Sequence, residues 1–517
     1  MRLGIDLGTT RTVVASVLDG RYPLAAFDDD GEFRDHVPGL VARDAGGARH
    51  HGWAAARLIA GGATAAVRSL KRTVSGLGPD DDVPGLGVSA LDAVTGFLAS
   101  LRAELIERST LALDDGALDA MVAVPANASS RQRYLTLEAF ARAGFGVLGM
   151  VNEPTAAAIE FAHNHLTAVG GRSPKRYVVV YDLGGGTFDT SAVSLEGKSF
   201  ELIASEGIAR LGGDDFDDVL LDVALEEAGV ARDDLAPGVI AAAQEQARVA
   251  KEGLRPTSRK VMIDLGLAGA GLPTVTVPTA AVYARCAPLI ERSLALTEEL
   301  FGRLGARGID ADDPRQLGGL YLVGGAVAFP PVAQALRARF GRKIQLAPQP
   351  HAATAVGLAV AADPAAGLLV REAVTRHFGV WREAYAGRDQ VFDPILDKDR
   401  AAAAVAGAGA RPDGAIVVRR VYRPTHTIGH LRFLECGGLG DGGQPARDLT
   451  PWGEVRFPYD PALVGRDLDG LPVERTTALA DQEIAETYTY EPSGAVAVEI
   501  ANLTAGYARR YQLGHVG

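Results

Sequence analysis

Apolar positions near the N-terminus run together as Leu3, Ile5 and Leu7, break at Gly8, Thr9 and Thr10, and resume at Val13, Val14, Ala15 and Val17. The segment GIDLGTTRTVVASV at 4–17 therefore predicts strand, tight turn, strand. The same order returns in VYDLGGGTFDTSAVSL at 180–195, where Asp-Leu is followed by Gly184, Gly185, Gly186 and Thr187. The two aspartates, Asp6 and Asp182, are 176 residues apart, and each half continues into alternating strand-like and helix-like segments. A repeat of that kind predicts two related α/β lobes facing one another. A lone DLG is no more than a strand end and a turn; two at matched positions suit a ligand held between lobes.

Further pieces follow in order. VAVPANASSRQR at 122–133 reads as a buried strand broken by Pro125, then a polar turn whose serines cap the next helix. NEPTAAAIEFA at 152–162 sets Glu153 and Pro154 just ahead of an alanine-rich helix. LGGDDFDDVLLDVAL at 211–225 is a Gly-Gly turn before an acidic helix start, and LYLVGGAVAFPPVAQALRARF at 320–340 is strand, Gly-Gly turn and helix. From His377 onward the texture becomes short strands with Gly/Pro turns: IVVRRVY at 416–422, HLRFLEC at 430–436, GEVRFPYDP at 453–461, and a hairpin in which Pro492, Ser493 and Gly494 separate Tyr488 and Tyr490 from Val496, Val498 and Ile500. An antiparallel β-sandwich fits that texture.

Composition narrows the chemistry. The 517 residues carry 62 glycines, about 12% against a usual figure of roughly 7%, so many turns or close backbone approaches are required. Turns of Gly and Thr leave room for a phosphate, point N–H groups at its oxygens, and add hydroxyl donors from Thr9, Thr10 and Thr187. Aspartates beside such a cradle imply Mg2+, reached mostly through water because that ion takes few carboxylates. No P-loop motif and no dinucleotide fingerprint occurs. The net charge of −12 and pI near 5.4 argue against nucleic acid or an anionic membrane as partner. Two cysteines, Cys286 and Cys436, make neither a disulfide framework nor a zinc site, which fits a reducing cytoplasm. No signal peptide is visible, and the longest charge-free apolar stretches, 352–362 and 401–410, are too short to span a bilayer.

The strings GIDLGTT, SLKR at 69–72, VPA at Pro125 and its neighbours, NEPTAAAIEFA, DLGGGTFD, LGGDDFD and LVGG, in that order over residues 1–362, resemble the ATPase domain of the DnaK-type heat shock protein 70 chaperones. That domain shares the actin and sugar-kinase fold. The resemblance implies catalytic roles for Lys71, Glu153, Asp182 and Thr187. It implies nucleotide contacts at Gly8, Thr9, Thr10, Arg11, Gly184, Gly185, Gly186, Thr187, Gly212, Gly213, Lys251, Gly324 and Gly325, and a metal region at Asp6, Asp182 and Asp189. Its cofactors are ATP or ADP with Mg2+, and K+ as a further candidate cation. Pro125, Arg133 and Glu153 match the family's relay between nucleotide state and second domain. Taken on its own, Lys71 reads as a solvated lysine on a basic helix face, and Arg133 as a surface arginine.

Departures fall at the adenosine end. Arg248 stands where the family has a glutamate, Glu252 and Arg255 where a basic residue and a serine are common, and Ala326 and Ala328 where a serine and the base-stacking arginine are usual. Losing the stacked guanidinium removes about 0.5–2 kcal/mol. Residues 363–376 resemble the family's interdomain linker through Leu368, Leu369 and Val370, or form an ordinary connector. Residues 377–517 resemble its β-sandwich peptide-binding domain loosely, and no helical lid or acidic cochaperone-binding tail follows in this sequence. The expected organisation is thus 1–362 nucleotide-binding, 363–376 linker and 377–517 sandwich. The expected function is a slow ATPase coupled to binding of unfolded or extended polypeptide, with a J-domain cochaperone and a nucleotide-exchange factor as partners. A nucleotide-gated scaffold with little or no hydrolysis, a small-molecule kinase and an actin-like filament are the alternatives.

Overall fold

A computed structural model describes residues 1–61, 65–111, 117–165, 176–269, 271–371, 376–384, 389–397, 415–446, 449–490 and 496–513. The apolar stretch 401–410 and the turn at Pro492, Ser493 and Gly494 lie outside them. The chain divides into two compact units, Met1–Ala126 with Leu135–Arg371, and Asn127–Tyr134 with Glu372–Gly517.

The first unit is mixed α/β, with two principal sheets. One has the strand order Gly146–Asn152, Asp119–Val124, Arg2–Leu7, Arg11–Ser16, Val37–Pro38; the other runs Ile344–Leu346, Leu317–Val323, Tyr177–Leu183, Phe188–Glu196, Ser199–Ile208, Leu369–Arg371. Each contains one of the two hairpins. In both, the first hairpin strand is antiparallel to the second and parallel to a strand that arrives much later, Asp119–Val124 or Leu317–Val323. The repeat in sequence is therefore a repeat of topology. These central strands are buried on both faces, which is why they read as nearly continuous apolar runs. The Ser-Ser turn at 129–130 caps as expected: Ser129 Oγ accepts from the Gln132 N–H, and Gln132 Oε1 accepts from the Ser129 N–H. Pro154 falls in the first turn of helix Glu153–His165, where a proline is tolerated, and the helix starts at Glu153 itself, slightly earlier than the sequence implies.

Two alanine-rich helices join the sheets. Helix Glu153–His165 packs on strands Phe188–Glu196 and Ser199–Ile208, helix Ala353–Ala362 on Arg2–Leu7 and Arg11–Ser16, and the helices pack on each other. Their approach is very close: a Cβ added at Gly357 lies 1.8 Å from the Ala156 carbonyl oxygen, and one at Gly4 lies 2.2 Å from the Ala359 nitrogen. The segment expected to be a linker contributes an edge strand, Leu369–Arg371, pairing in parallel with Ser199, Phe200 and Glu201, and Val370 packs against a cluster of Ala123, Val151, Ala156 and Leu358.

Helix Glu153–His165 also carries a buried acid. Glu160 accepts hydrogen bonds from the Tyr321 hydroxyl and the Asn164 amide, and burial pushes its pKa up to about 7. Its ordinary value is 4.5, so the native chain keeps a proton that the unfolded chain has released. Stability therefore falls as pH rises through that window. Glu160→Gln should remove on the order of 3 kcal/mol of this fall, seen as denaturation midpoints at pH 5 and pH 8 that lie closer together than in the parent chain. An equal spread in both proteins would assign the proton elsewhere.

In the second unit two four-stranded antiparallel sheets share one core. Their orders are Asp389–Leu396, His377–Ala384, Ile428–Cys436, Thr450–Pro458, and Ile416–Tyr422, Ile484–Tyr490, Val496–Asn502, Tyr507–Leu513. Phe378, Val380, Phe433 and Phe457 from the first meet Ile484, Tyr488, Val498 and Ile500 from the second. A charged network crosses this core. Glu486, fully buried, receives Arg382 Nη2 at 2.6 Å and the hydroxyls of Tyr488, at 2.7 Å, and Tyr422, while Arg382 Nε reaches Asp393 at 2.7 Å.

Candidate functional site

Both hairpin turns open onto one cavity of about 380 Å3 in the first unit. They are built alike: the Gly8 N–H donates to Arg11 O at 3.1 Å, and the Gly184 N–H to Thr187 O at 3.1 Å. The turns nearly touch, since a Cβ on Gly185 would sit 2.0 Å from Thr10 Oγ1. A third glycine turn nests on the second. The Gly213 and Asp214 N–H groups donate to Gly184 O and Gly185 O at 2.9 and 2.7 Å, and a Cβ on Gly212 would lie 2.5 Å from Gly185 O. Only glycine allows backbone to approach backbone this closely.

Lys71 lies on the cavity wall, on the short helix Leu70–Val74, and forms an ion pair with Glu153. The turn before it is fixed by Ser69, whose hydroxyl donates to Asp214 Oδ2 at 2.6 Å. Burial alone would lower the Lys71 pKa, but the charges of Glu153 and Asp6 outweigh it and hold the ammonium above its usual range. Asp6 is pushed up to about 7 by burial and by Glu153, with Lys71 opposing. Asp182 is pushed well above the carboxylate range by burial, Glu153, Asp189 and Asp6. The site thus holds more carboxylate than Lys71 alone can balance. Among the described residues no group of three or more His, Cys, Asp or Glu could hold a metal ion directly.

The expected site residues distribute as follows. Asp6, Gly8, Thr9, Thr10, Arg11, Lys71, Glu153, Asp182, Gly184, Gly185, Thr187, Gly213, Lys251, Gly324 and Gly325 line the cavity; Gly186, Gly212 and Asp189 do not. Asp189 sits opposite Asp182 in the hairpin register and acts on it through its charge. Gly186 and Gly212 stand behind the wall, where they let Thr9 and Gly185 come close. Lys251 is on the wall, yet its ammonium is spent internally, donating to Gly213 O at 2.7 Å and pairing with Asp217 at 2.7 Å. Asp217 went unnoticed in sequence, although it is the last residue of LGGDDFD and an acid among Phe216, Leu220 and Leu221. Burial pushes it up to about 6 despite Lys251, and its Oδ2 has no hydrogen-bond partner among the described residues. His351, also on the wall and also missed, pairs with Asp35 at 2.7 Å.

The far end of the cavity is lined by Arg248, Glu252, Leu254, Arg255, Ala326, Ala328 and Phe329. Arg248 is held on its own helix, Nε at 3.0 Å from Glu245 and Nη1 at 2.9 Å from Glu252. Arg11 also reaches Glu252, at 2.8 Å.

Residues 96–375, more than half of the chain, match the family model described as Hsp70 protein. The chain belongs to the Hsp70 family. It is 32% identical over 384 residues to proteins named Chaperone protein HscA homolog from Burkholderia multivorans and Acidithiobacillus ferrooxidans, and 33% identical over 386 residues to the one from Burkholderia cenocepacia. Each alignment covers 71% of this chain and 59% of the relative, so the chain spans about three-fifths of the length of these relatives. The Hsp70 model match begins after the first glycine turn and Lys71. Among the described residues no helix is long and apolar enough to cross a membrane.

Proposed function

We propose that this chain is an Hsp70-type chaperone ATPase with an actin-like nucleotide-binding domain at 1–362, a linker at 363–376 and a β-sandwich at 377–517. In this reading ATP sits in the first unit with its phosphates in the Gly/Thr turns, water attacks the γ-phosphorus, and nucleotide state governs how the sandwich holds an extended polypeptide. The observation that carries it is the Lys71–Glu153 pair standing beside Asp6 and Asp182 where three glycine turns converge.

The chain's own groups divide the work. N–H groups of the turns and the hydroxyls of Thr10 and Thr187 orient the phosphates without net charge. Lys71, kept protonated, faces the charge that builds on the transferred phosphoryl. Glu153 is the acceptor for the proton of the attacking water. Asp6 and Asp182, whose buried carboxylates lack balancing charge, would hold Mg2+ through water, with Asp189 behind them; bound there, the ion neutralises phosphate oxygens. The docked Leu369–Arg371 strand supports a linker that senses this unit, and a J-domain cochaperone and an exchange factor are the partners this reading implies. The buried free thiols Cys286 and Cys436 suit a reducing compartment.

Calorimetry of Mg2+-dependent ADP and ATP binding, run beside single-turnover phosphate release, tests the reading. Binding that needs Mg2+ together with slow release is the expected result. Tight binding without release would favour a nucleotide-gated scaffold, a reading to which the altered adenosine end gives some support, and the absence of binding would end both.

A further inference from the structure

Lys71 rides on a helix of only five residues, Leu70–Val74, too short to keep its place by its own hydrogen bonds. Its neighbours Ser69 and Arg72, three residues apart and so on one face, are both tied to the start of helix Gly213–Ala228. Ser69 Oγ donates to Asp214 Oδ2 at 2.6 Å, and Arg72 Nη2 donates to Asp215 Oδ1 at 3.1 Å. Asp215 Oδ2 accepts from the Gly212 N–H at 2.8 Å, so this acceptor is itself held by the third glycine turn. That turn nests on the second, because the Gly213 and Asp214 N–H groups donate to Gly184 O and Gly185 O. The stem of Arg72 passes the same place: a Cβ on Gly186 would lie 3.0 Å from Arg72 Cδ.

Ser69 also holds backbone that a side chain resists. Among the described residues Asp19, Asp30 and Ser69 are the non-glycine residues with positive φ. The two aspartates are exposed, and each precedes a glycine in a turn. Ser69 is buried, at φ 55° and ψ 60°, immediately before the helix that carries Lys71. Left-handed backbone of this kind persists where the surroundings over-determine it. Here the bond to Asp214 and that from the Leu70 N–H to Gly39 O, at 3.0 Å, do so. Glycine would adopt the same backbone freely, so what serine adds at this position is its hydroxyl.

We propose that Ser69 and Arg72 are positioning residues for Lys71: through Asp214 and Asp215 they register its ammonium to the second glycine turn, whose carbonyls hold the third. The proposal rests on the ATPase reading above. A charge helps a transition state only from the right place, and a shift of about 1 Å can cost up to about 10²-fold. Single-turnover phosphate release from saturating ATP with Mg2+ is the test, in the parent chain, in Ser69→Gly and Arg72→Met, and in each combined with Lys71→Ala. Ser69→Gly keeps the backbone, and Arg72→Met keeps the stem beside Gly186. Each should slow release about tenfold while ADP affinity stays within about threefold of the parent's. In the Lys71→Ala background the same changes should alter release by less than about twofold, because no ammonium is left to misplace. Equal slowing with and without Lys71 overturns the proposal, since the two residues would then act on the fold or on the nucleotide directly. Unchanged release in both single variants overturns it too, and either result leaves the ATPase reading standing. A parent chain that binds ATP with Mg2+ and releases no phosphate overturns both.

Discussion

Lys71→Ala should slow single-turnover phosphate release from bound ATP by about 10²–10³-fold, the usual loss when a preorganised charge facing a transition state is removed. The ammonium is held above its usual pKa by Glu153 and Asp6, so it is present at every physiological pH and its contribution is electrostatic rather than acid–base. Binding should suffer much less. In the proposed reading the phosphates rest on backbone N–H groups at the tips of the Gly8 and Gly184 turns, which the substitution does not touch, and affinity for ADP should stay within about tenfold, that is 1.4 kcal/mol. Rapid-quench measurement of labelled phosphate, with nucleotide saturating, separates the two quantities. An unchanged rate would take Lys71 out of the chemistry and leave it as the counter-charge of Glu153.

Gly357→Ala should be the most damaging single methyl group in the first unit. The new Cβ would stand 1.8 Å from the Ala156 carbonyl oxygen and 2.5 Å from its carbon, atoms of a buried helix backbone that no rotamer change can move. The helices Glu153–His165 and Ala353–Ala362 would have to separate, and we expect about 3 kcal/mol or more of destabilisation, at or beyond the upper end for an overpacked core. Since the first helix begins with Glu153, nucleotide affinity should fall as well. Gly302→Ala is the control: that glycine lies within helix Thr279–Ala306 with nothing within 4 Å of an added Cβ, so alanine there should stabilise by up to about 1 kcal/mol. Urea midpoints of the two variants against the parent decide the matter; a Gly357→Ala midpoint equal to the parent's would mean that the helix crossing yields easily.

What could be read from the sequence was local. Each Asp-Leu-Gly hairpin announces itself because strand, turn and strand are contiguous and the turn is made of residues with little else to do. Partnerships between distant residues were not visible. Lys251 was recognised as a lysine near the nucleotide, but its engagement with Asp217 and Gly213 depends on how helix Pro237–Glu252 lies against helix Gly213–Ala228. The Arg11–Glu252 and Tyr321–Glu160 contacts are invisible for the same reason. In the second unit the hairpin Ile484–Tyr490 and Val496–Asn502 shows its alternation clearly. Strand Asp389–Leu396 does not, because Pro394 reads as a breaker; the strand forms at the edge of its sheet, where a missing N–H is tolerated.

The Glu486 network works as a key between the two sheets of the second unit. Arg382 belongs to one sheet and Glu486 to the other, and side chains in a strand alternate sides. A one-residue slip in the Arg382 strand would turn the guanidinium outward and leave the Glu486 carboxylate buried without its counter-charge, at a cost of about 3–5 kcal/mol. Apolar neighbours such as Val498 and Ile500 would tolerate a shifted partner far better. During folding the charged pair therefore acts as a proofreader: it rejects near-native alignments that hydrophobic contact alone would accept.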